Sequence, residues 1–312
     1  MIDVKNTPPF KLLKTLKYFY PDIFDRVDAK AKLKKWPGFV YCPISEICKI
    51  FEDVQPNSAK KLISDISIIA AVSGWRQVKT IYDFDATLTS DLYDQATDKI
   101  SVSSDMLRLP SWSIYIRPND NTQFDGMFVS FDFFEGVSEI RFLPVLPSGK
   151  CRGVVYMTLS QELVKISDLI DETAAEFDNP KFIDEIKNFN APRLAQWINL
   201  LLYISASNAD IKRDTNHFFR RSKKISDTPK EVDYLNVGKS VGYRLRTLHS
   251  HISISPPGTG HHRSPIMHIR RAHWHTYYIG QGRKKSEIKW LPPIIVNQDG
   301  TPSDLTTIFK VR

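Results

Sequence analysis

Apolar positions along this chain change their period several times, and each change marks a new structural unit. After Pro8-Pro9, the residues Leu12, Leu13, Leu16, Phe19 and Tyr20 recur at helical spacing, and a lysine-rich stretch from Lys30 to Lys35 runs to a stop at Trp36-Pro37-Gly38. Pro43 to Phe51 reads as a short helix opening at Ser45, and Ser58 to Arg76 offers Ala59, Leu62, Ile63, Ile66, Ile69, Ala70 and Val72 as one buried stripe. Residues 1–80 are therefore expected to be mainly helical. The period then drops to two, with Trp112, Ile114 and Ile116 on one face of Ser111 to Arg117, followed by Gly126 to Phe134, Val137 to Leu146 and Gly153 to Thr158. With turns at Asp120-Asn121, Glu135-Gly136 and Ser148-Gly149, residues 105–160 predict a four-stranded antiparallel meander. Helical spacing returns at Ser160 to Phe177, where Leu163, Ile166, Leu169 and Ile170 share a face, and at the almost wholly apolar Pro192 to Ile204. The expected fold class is α+β, with a body over residues 1–210.

Beyond the body, residues 211–262 carry Lys212-Arg213, Arg220-Arg221 and Lys223-Lys224 in a polar stretch, which predicts an exposed basic arm over 212–235. A helix from Tyr234 to His249 and a Pro/Gly/Ser/His linker from Ser253 to Pro265 should follow. Residues 263–312 read as a basic, aromatic β-hairpin module: Pro265 to Ile279 alternates, Gly280-Gln281-Gly282 turns, and Ser286 to Asn297 resumes across Pro292-Pro293. Period two places His268, Arg270, Trp274, Thr276 and Tyr278 on one side of the first strand and Ile269, Arg271, His273, His275 and Tyr277 on the other.

Charge sharpens this division. Residues 210–312 hold 19 Lys and Arg against 8 Asp and Glu, so the overall +8 is a property of the C-terminal third. All eight histidines fall between His217 and His275. With 312 residues, 42% of them hydrophobic, the chain can bury a core without disulfides or metals. No run approaches the ~20 apolar residues of a membrane-spanning helix, and the start, Met1 to Asn6, lacks an apolar signal core. A cytoplasmic protein is expected. Cys42, Cys48 and Cys151 show neither a disulfide framework nor zinc-finger spacing.

The chemistry concentrates in the hairpin. His273 and His275, with Arg271 and Tyr277 as same-face neighbours, could perform acid-base work on a phosphodiester, but they read first as a solvated, cation-rich face or as a contact for a partner. Arg263, His268, Arg270, Arg271, Arg283, Lys284, Lys285 and Lys289, interleaved with Trp274, Tyr278 and Trp290, suit phosphates and unstacked bases and predict an RNA-binding or effector surface. Adjacent His261-His262 in a Gly-Pro context match no standard metal spacing, so neither metal nor cofactor is expected. Asp83, Asp85, Asp91, Asp94 and Asp98 read as a solvated face before a metal site. Aromatic residues of the body are first a core, and only an uncovered part, with Trp75, Tyr82, Trp112 and Tyr115 as candidates, could grip a peptide.

The run His268-Ile269-Arg270-Arg271-Ala272-His273-Trp274-His275, with Tyr277, Gly280-x-Gly282 and Lys289-Trp290-x-Pro-x-Ile-x-Val-Asn297, resembles the C-terminal signature of the second type V-A anti-CRISPR family. Gly74-Trp75-Arg76, Ile81-Tyr82, Leu109-Pro110-x-Trp112-x-Ile-Tyr115, Phe124-Asp125-Gly126 and Leu201-Leu202-Tyr203 extend the resemblance over most of residues 60–300. Ala272 and Tyr278 depart from it, standing where the family pattern has Gly and Trp.

That resemblance implies a counter-defence protein of a mobile genetic element that recognises the N-terminal, nascent polypeptide of a type V-A CRISPR effector nuclease or another target and provokes loss of its messenger. RNA or the ribosome would be a second partner. Two rival expectations remain open at this point: a metal-independent ribonuclease using the His/Arg/Tyr cluster, and an RNA-binding accessory protein with no peptide target.

Overall fold

A computed structural model of the protein describes residues 6–54, 59–96, 101–120, 122–175, 191–214, 232–252, 268–270, 272–283 and 285–296. Four helices open the chain: α1 (Pro8–Phe19), α2 (Ile23–Ala31), α3 (Ile44–Val54) and α4 (Ala59–Val78). Pro8 and Pro9 start α1 where their missing N–H groups cost nothing, and Leu12 and Leu16 face inward. Strand β1 (Thr80–Phe84) leads into α5 (Ala86–Asp94), and the short β2 (Ser101–Val102) precedes the meander β3 (Ser113–Arg117), β4 (Gly126–Phe134), β5 (Val137–Val145) and β6 (Val155–Thr158). Next come β7 (Val164–Lys165), α6 (Ile166–Ala175), α7 (Ala191–Ser205), β8 (Ile211–Arg213), β9 (Asp233–Val237) and α8 (Lys239–Ile252). The described chain ends in β10 (His268–Arg270), β11 (His273–Ile279), β12 (Lys285–Leu291) and β13 (Ile294–Val296).

The expected α+β class and the antiparallel meander are both present, and the meander is four strands of a seven-stranded sheet ordered β6-β5-β4-β3-β1-β9-β8. Its centre is parallel: β1 pairs with β3 on one side and β9 on the other. Side-chain alternation divides two cores. Ile81, Tyr115, Phe128, Leu143 and Val145 point into the layer formed with α1–α4. Tyr82, Phe84, Ile114, Ile116, Met127, Val129, Ile140 and Phe142 point into the layer formed with α5–α8. Both faces of β1 are covered, so all five of its residues are buried.

Two local departures from expectation have clear causes. The stretch 212–235, expected as an exposed arm, has its two ends inside the sheet, because Lys212 and Arg213 belong to β8 and Asp233 to Val237 form β9; residues 215–231 lie outside the described residues. Tyr234 accordingly starts no helix; α8 begins at Lys239, after Gly238 turns the chain at φ +71°. Leu163 is exposed because the helix begins after it, whereas Ile166, Leu169 and Ile170 are buried as the spacing predicts.

Candidate functional site

Strands β11 and β12 form a two-stranded ribbon in which Trp274 faces Trp290, His275 faces Lys289 and Tyr277 faces Glu287. Gly280 and Gly282, at φ +80° and +70°, supply the left-handed backbone that the tip requires. A second pair, β10 with β13, continues the ribbon beyond Pro292-Pro293. As the alternation predicts, Trp274, Thr276 and Tyr278 share one face and His273, His275 and Tyr277 the other.

The inner face is bound to the body. Trp290 is 1% exposed, and its indole N–H donates to Gln95 at 3.2 Å while its ring meets Tyr203 edge-on at 5.8 Å. Asn208 grips the Trp290 backbone from both sides, donating to its carbonyl at 2.7 Å and accepting from its N–H at 3.3 Å. Trp274 donates its indole N–H to the buried Asn199 at 2.7 Å. Burial pushes the Tyr203 hydroxyl up to about 12, and it accepts from the Asp210 N–H. Trp290 and Ala272 belong to the same apolar core as the sheet and α7, so this ribbon is packed into the body rather than appended to it.

The outer face is open. His275 and Tyr277 are exposed, with their rings 4.3 Å apart, and the Lys289 ammonium sits 5.1 Å from the Tyr277 ring centre. Glu287 pairs with Lys289 at 3.5 Å, and His273 is half-buried. A cation, an imidazole and a phenol are thus presented together on a rigid ribbon, a combination suited to holding phosphate and stacking a base. Tyr278 is exposed near the tip.

The remaining candidates from the sequence are distributed unevenly. Trp290, expected on the effector surface, instead anchors the ribbon, because its inner-face position points it into the core; Trp274 is half-buried in the same role. The backbone of His268, Arg270, Arg283 and Lys285 is described, while Arg263, Arg271 and Lys284 lie outside the described residues. Of the peptide-gripping candidates, Trp75, Tyr82 and Tyr115 are buried among the cores and have no face to offer. Trp112, 38% exposed, does, and it stands just before β3 with its indole N–H donating to the Gly38 carbonyl at 2.9 Å. Asn199, Asn208 and Gln95, which hold the ribbon, carried no pattern by which the sequence would single them out.

Trp112 lines two adjoining cavities. One of about 690 Å³ lies among Lys32, Lys34, Trp36, Tyr41 and Gln77; one of about 400 Å³ lies among Phe39, Val78, Ser111 and Phe131. The second shares Leu109 and Pro110 with a cleft of about 730 Å³ that opens between the body and the ribbon, bounded by Met106, Ile204, Thr276, Ile279 and Ile288.

The acidic pair Asp83 and Asp85 at the end of β1 is committed to structure. Asp83 accepts from Arg117 at 3.3 Å, Asn119 at 3.0 Å and Lys239 at 3.5 Å. Asp85 caps α5 by accepting from the N–H groups of Thr87 and Leu88, and it pairs with Arg246 at 2.9 Å. A Cβ at position 242 would fall 1.9 Å from the Asp85 carboxylate, so only Gly242 lets α8 approach so closely. Among the described residues, no group of three or more His, Cys, Asp or Glu side chains could hold a metal ion, and no helix is long and apolar enough to cross a membrane.

With this geometry in view, comparison with known proteins is informative. The model of the anti-CRISPR type V subtype A2 family (AcrVA2-like) matches residues 82–298, from β1 to the end of the ribbon. The chain belongs to the AcrVA2-like family. Its fold is similar to that in the crystal structure of AcrVA2, with a TM-score of 0.62 over 92% of this chain and 98% of that one, at 20% sequence identity. The AcrVA2-like fold thus takes in the N-terminal helices that the sequence match leaves out. No curated protein sequence matches the chain.

Proposed function

We propose that this AcrVA2-like chain acts in counter-defence by capturing the N-terminal, nascent polypeptide of a CRISPR effector or similar target while its ribbon rests on RNA or the ribosome, and that this pairing triggers loss of the target's messenger. Family membership supports the counter-defence role. The observation that carries the division of labour is the ribbon itself: its inner face is clamped to the body by Trp290, Trp274, Asn199 and Asn208, its outer face presents His275, Tyr277 and Lys289, and a cleft of about 730 Å³ opens beside it. Exposed rings on a packed support suit stacking against bases, with Lys289 shared between Glu287 and a phosphate, and a cleft of mixed apolar and polar walls suits a polypeptide.

The test is co-sedimentation of the protein with stalled ribosomes in a translation extract programmed with a messenger for the effector's N-terminal segment. Binding that depends on the encoded peptide, and is lost when puromycin releases the nascent chain, is the expected result; equal binding to empty ribosomes overturns the peptide half. Because His275 lies beside Tyr277 on an open face, purified protein should also be incubated with labelled RNA in chelator. Intact RNA is expected, and cleavage with a bell-shaped pH profile would make the ribbon itself a metal-independent ribonuclease.

A further inference from the structure

The three cavities adjoin: Gly38 and Trp112 are common to the first two, and Leu109 and Pro110 to the second and third. They form one track along the flank, from the lysine-rich end of α2 to the ribbon. From its walls and charges we infer that this track seats an extended polypeptide segment that is apolar along its length and carries a carboxylate where it reaches Lys32 and Lys34. The inference rests on the peptide-capture reading above and names the chemistry of the captured segment.

The middle of the track is what selects polypeptide over nucleic acid. Among the described residues, no charged side chain lines the cavity around Phe39, Trp112 and Phe131, whereas a single strand of RNA needs cations spaced along its phosphates. At the ribbon end Asp105 pairs with Arg108 at 3.1 Å and Glu287 with Lys289 at 3.5 Å, so no unpaired cation is offered to a phosphate there, while Met106, Ile204, Ile279 and Ile288 supply apolar wall among Ser205, Ser207 and Thr276. The walls are set before anything binds, since Trp36 and Trp112 donate their indole N–H groups to backbone carbonyls at 3.1 and 2.9 Å. Ordering them costs the ligand nothing.

The α2 end has an unmatched charge. Lys32 and Lys34 are exposed, and neither ammonium has a carboxylate partner among the described residues. Asp28, the one carboxylate among the described residues lining that cavity, is already occupied by Arg76, Tyr41 and Gln77. An incoming Asp or Glu would meet two free cations beside an apolar channel, whereas a Lys or Arg would be repelled.

A library of random dodecapeptides displayed on phage, selected on the purified full-length protein, tests this, with the enriched peptides then made synthetically and titrated by fluorescence anisotropy. Winners should combine aromatic or aliphatic residues with an Asp or Glu toward one end. Their affinity should fall about thirtyfold in Trp112→Ala, the size of a buried aromatic anchor, and about fivefold in Lys32→Glu/Lys34→Glu, the size of exposed charge pairs. Selection on the charge-reversed protein should replace the acidic position by a basic one. Winners that need Trp112 yet ignore the lysine reversal overturn this inference and leave peptide capture standing. If no peptide is enriched, or if winners ignore both Trp112→Ala and Phe39→Ala, peptide capture at this flank falls as well. Displacement of the peptides by polyuridine, with the same dependence on Trp112, makes the track a nucleic-acid groove and overturns both. Phe39 is 45% exposed and the two lysines are on the surface, so these variants report on the track even where Trp112→Ala lowers stability.

Discussion

The two faces of the β11–β12 ribbon are built from neighbouring residues of the same strands yet serve opposite ends. Trp290, Trp274 and their amide partners spend every polar group inward, and the result is a ribbon that cannot lift from α7 without leaving buried donors unmet. His275 and Lys289, each one residue from a tryptophan, meet Tyr277 on the other face, where His275 and Tyr277 are exposed and the half-buried Lys289 also pairs with Glu287. Strand alternation thus separates the packed face from the one that, on the function proposed above, meets a partner. Mutations on the inner face should act through stability and those on the outer face through binding.

The largest effect expected is that of Trp290→Ala. Removing an indole that is 1% exposed should lower unfolding free energy by about 3–5 kcal/mol in chemical denaturation; a loss under about 1 kcal/mol would show that the ribbon is not part of the core. Asn199→Ala comes next, since it strands the Trp274 indole N–H and should cost about 1–3 kcal/mol by the same assay. Away from the ribbon, Asp85→Ala removes the cap of α5 and should cost about 1–2 kcal/mol, with Asp85→Asn restoring most of it because Asn caps equally well. If Asn fails to rescue, the Arg246 ion pair rather than the cap is what matters there. The smallest effect is chemical: burial pushes the Cys42 and Cys151 thiols up to about 12, so both stay protonated near neutral pH and iodoacetamide should label them only after unfolding.

How much of this was legible in the sequence depended on what covers each element. The β4–β5 hairpin was readable because Glu135-Gly136, both at positive φ, make a two-residue turn between strands of clean register. Strand β1 was not, since layers on both sides turn Thr80–Phe84 into a continuous buried run with no alternation to see. Strand β9 was hidden for another reason: its partner β1 is some 150 residues earlier, and it follows a basic stretch that reads as solvated. On the ribbon, period two separated the faces correctly but could not say which face was covered, and so Trp290 was counted with the working surface. Trp75, Tyr82, Tyr115 and Trp112 look alike as aromatic residues of the body. Only the fold distinguishes the last, which precedes β3 at the sheet's flank while the others lie between layers.

Resolving inner from outer face in a living cell requires a variant that changes recognition alone. His275→Ala/Tyr277→Ala/Lys289→Ala should leave stability within about 0.5 kcal/mol per exposed residue and about 1 kcal/mol for the half-buried Lys289, which gives up its ion pair with Glu287. The direct measurement is the abundance of the effector messenger in cells producing either form at equal protein level. With the triple variant, messenger should return to the level seen without the protein. Continued loss of the messenger at the wild-type rate would contradict the assignment of the outer face as the surface that acts.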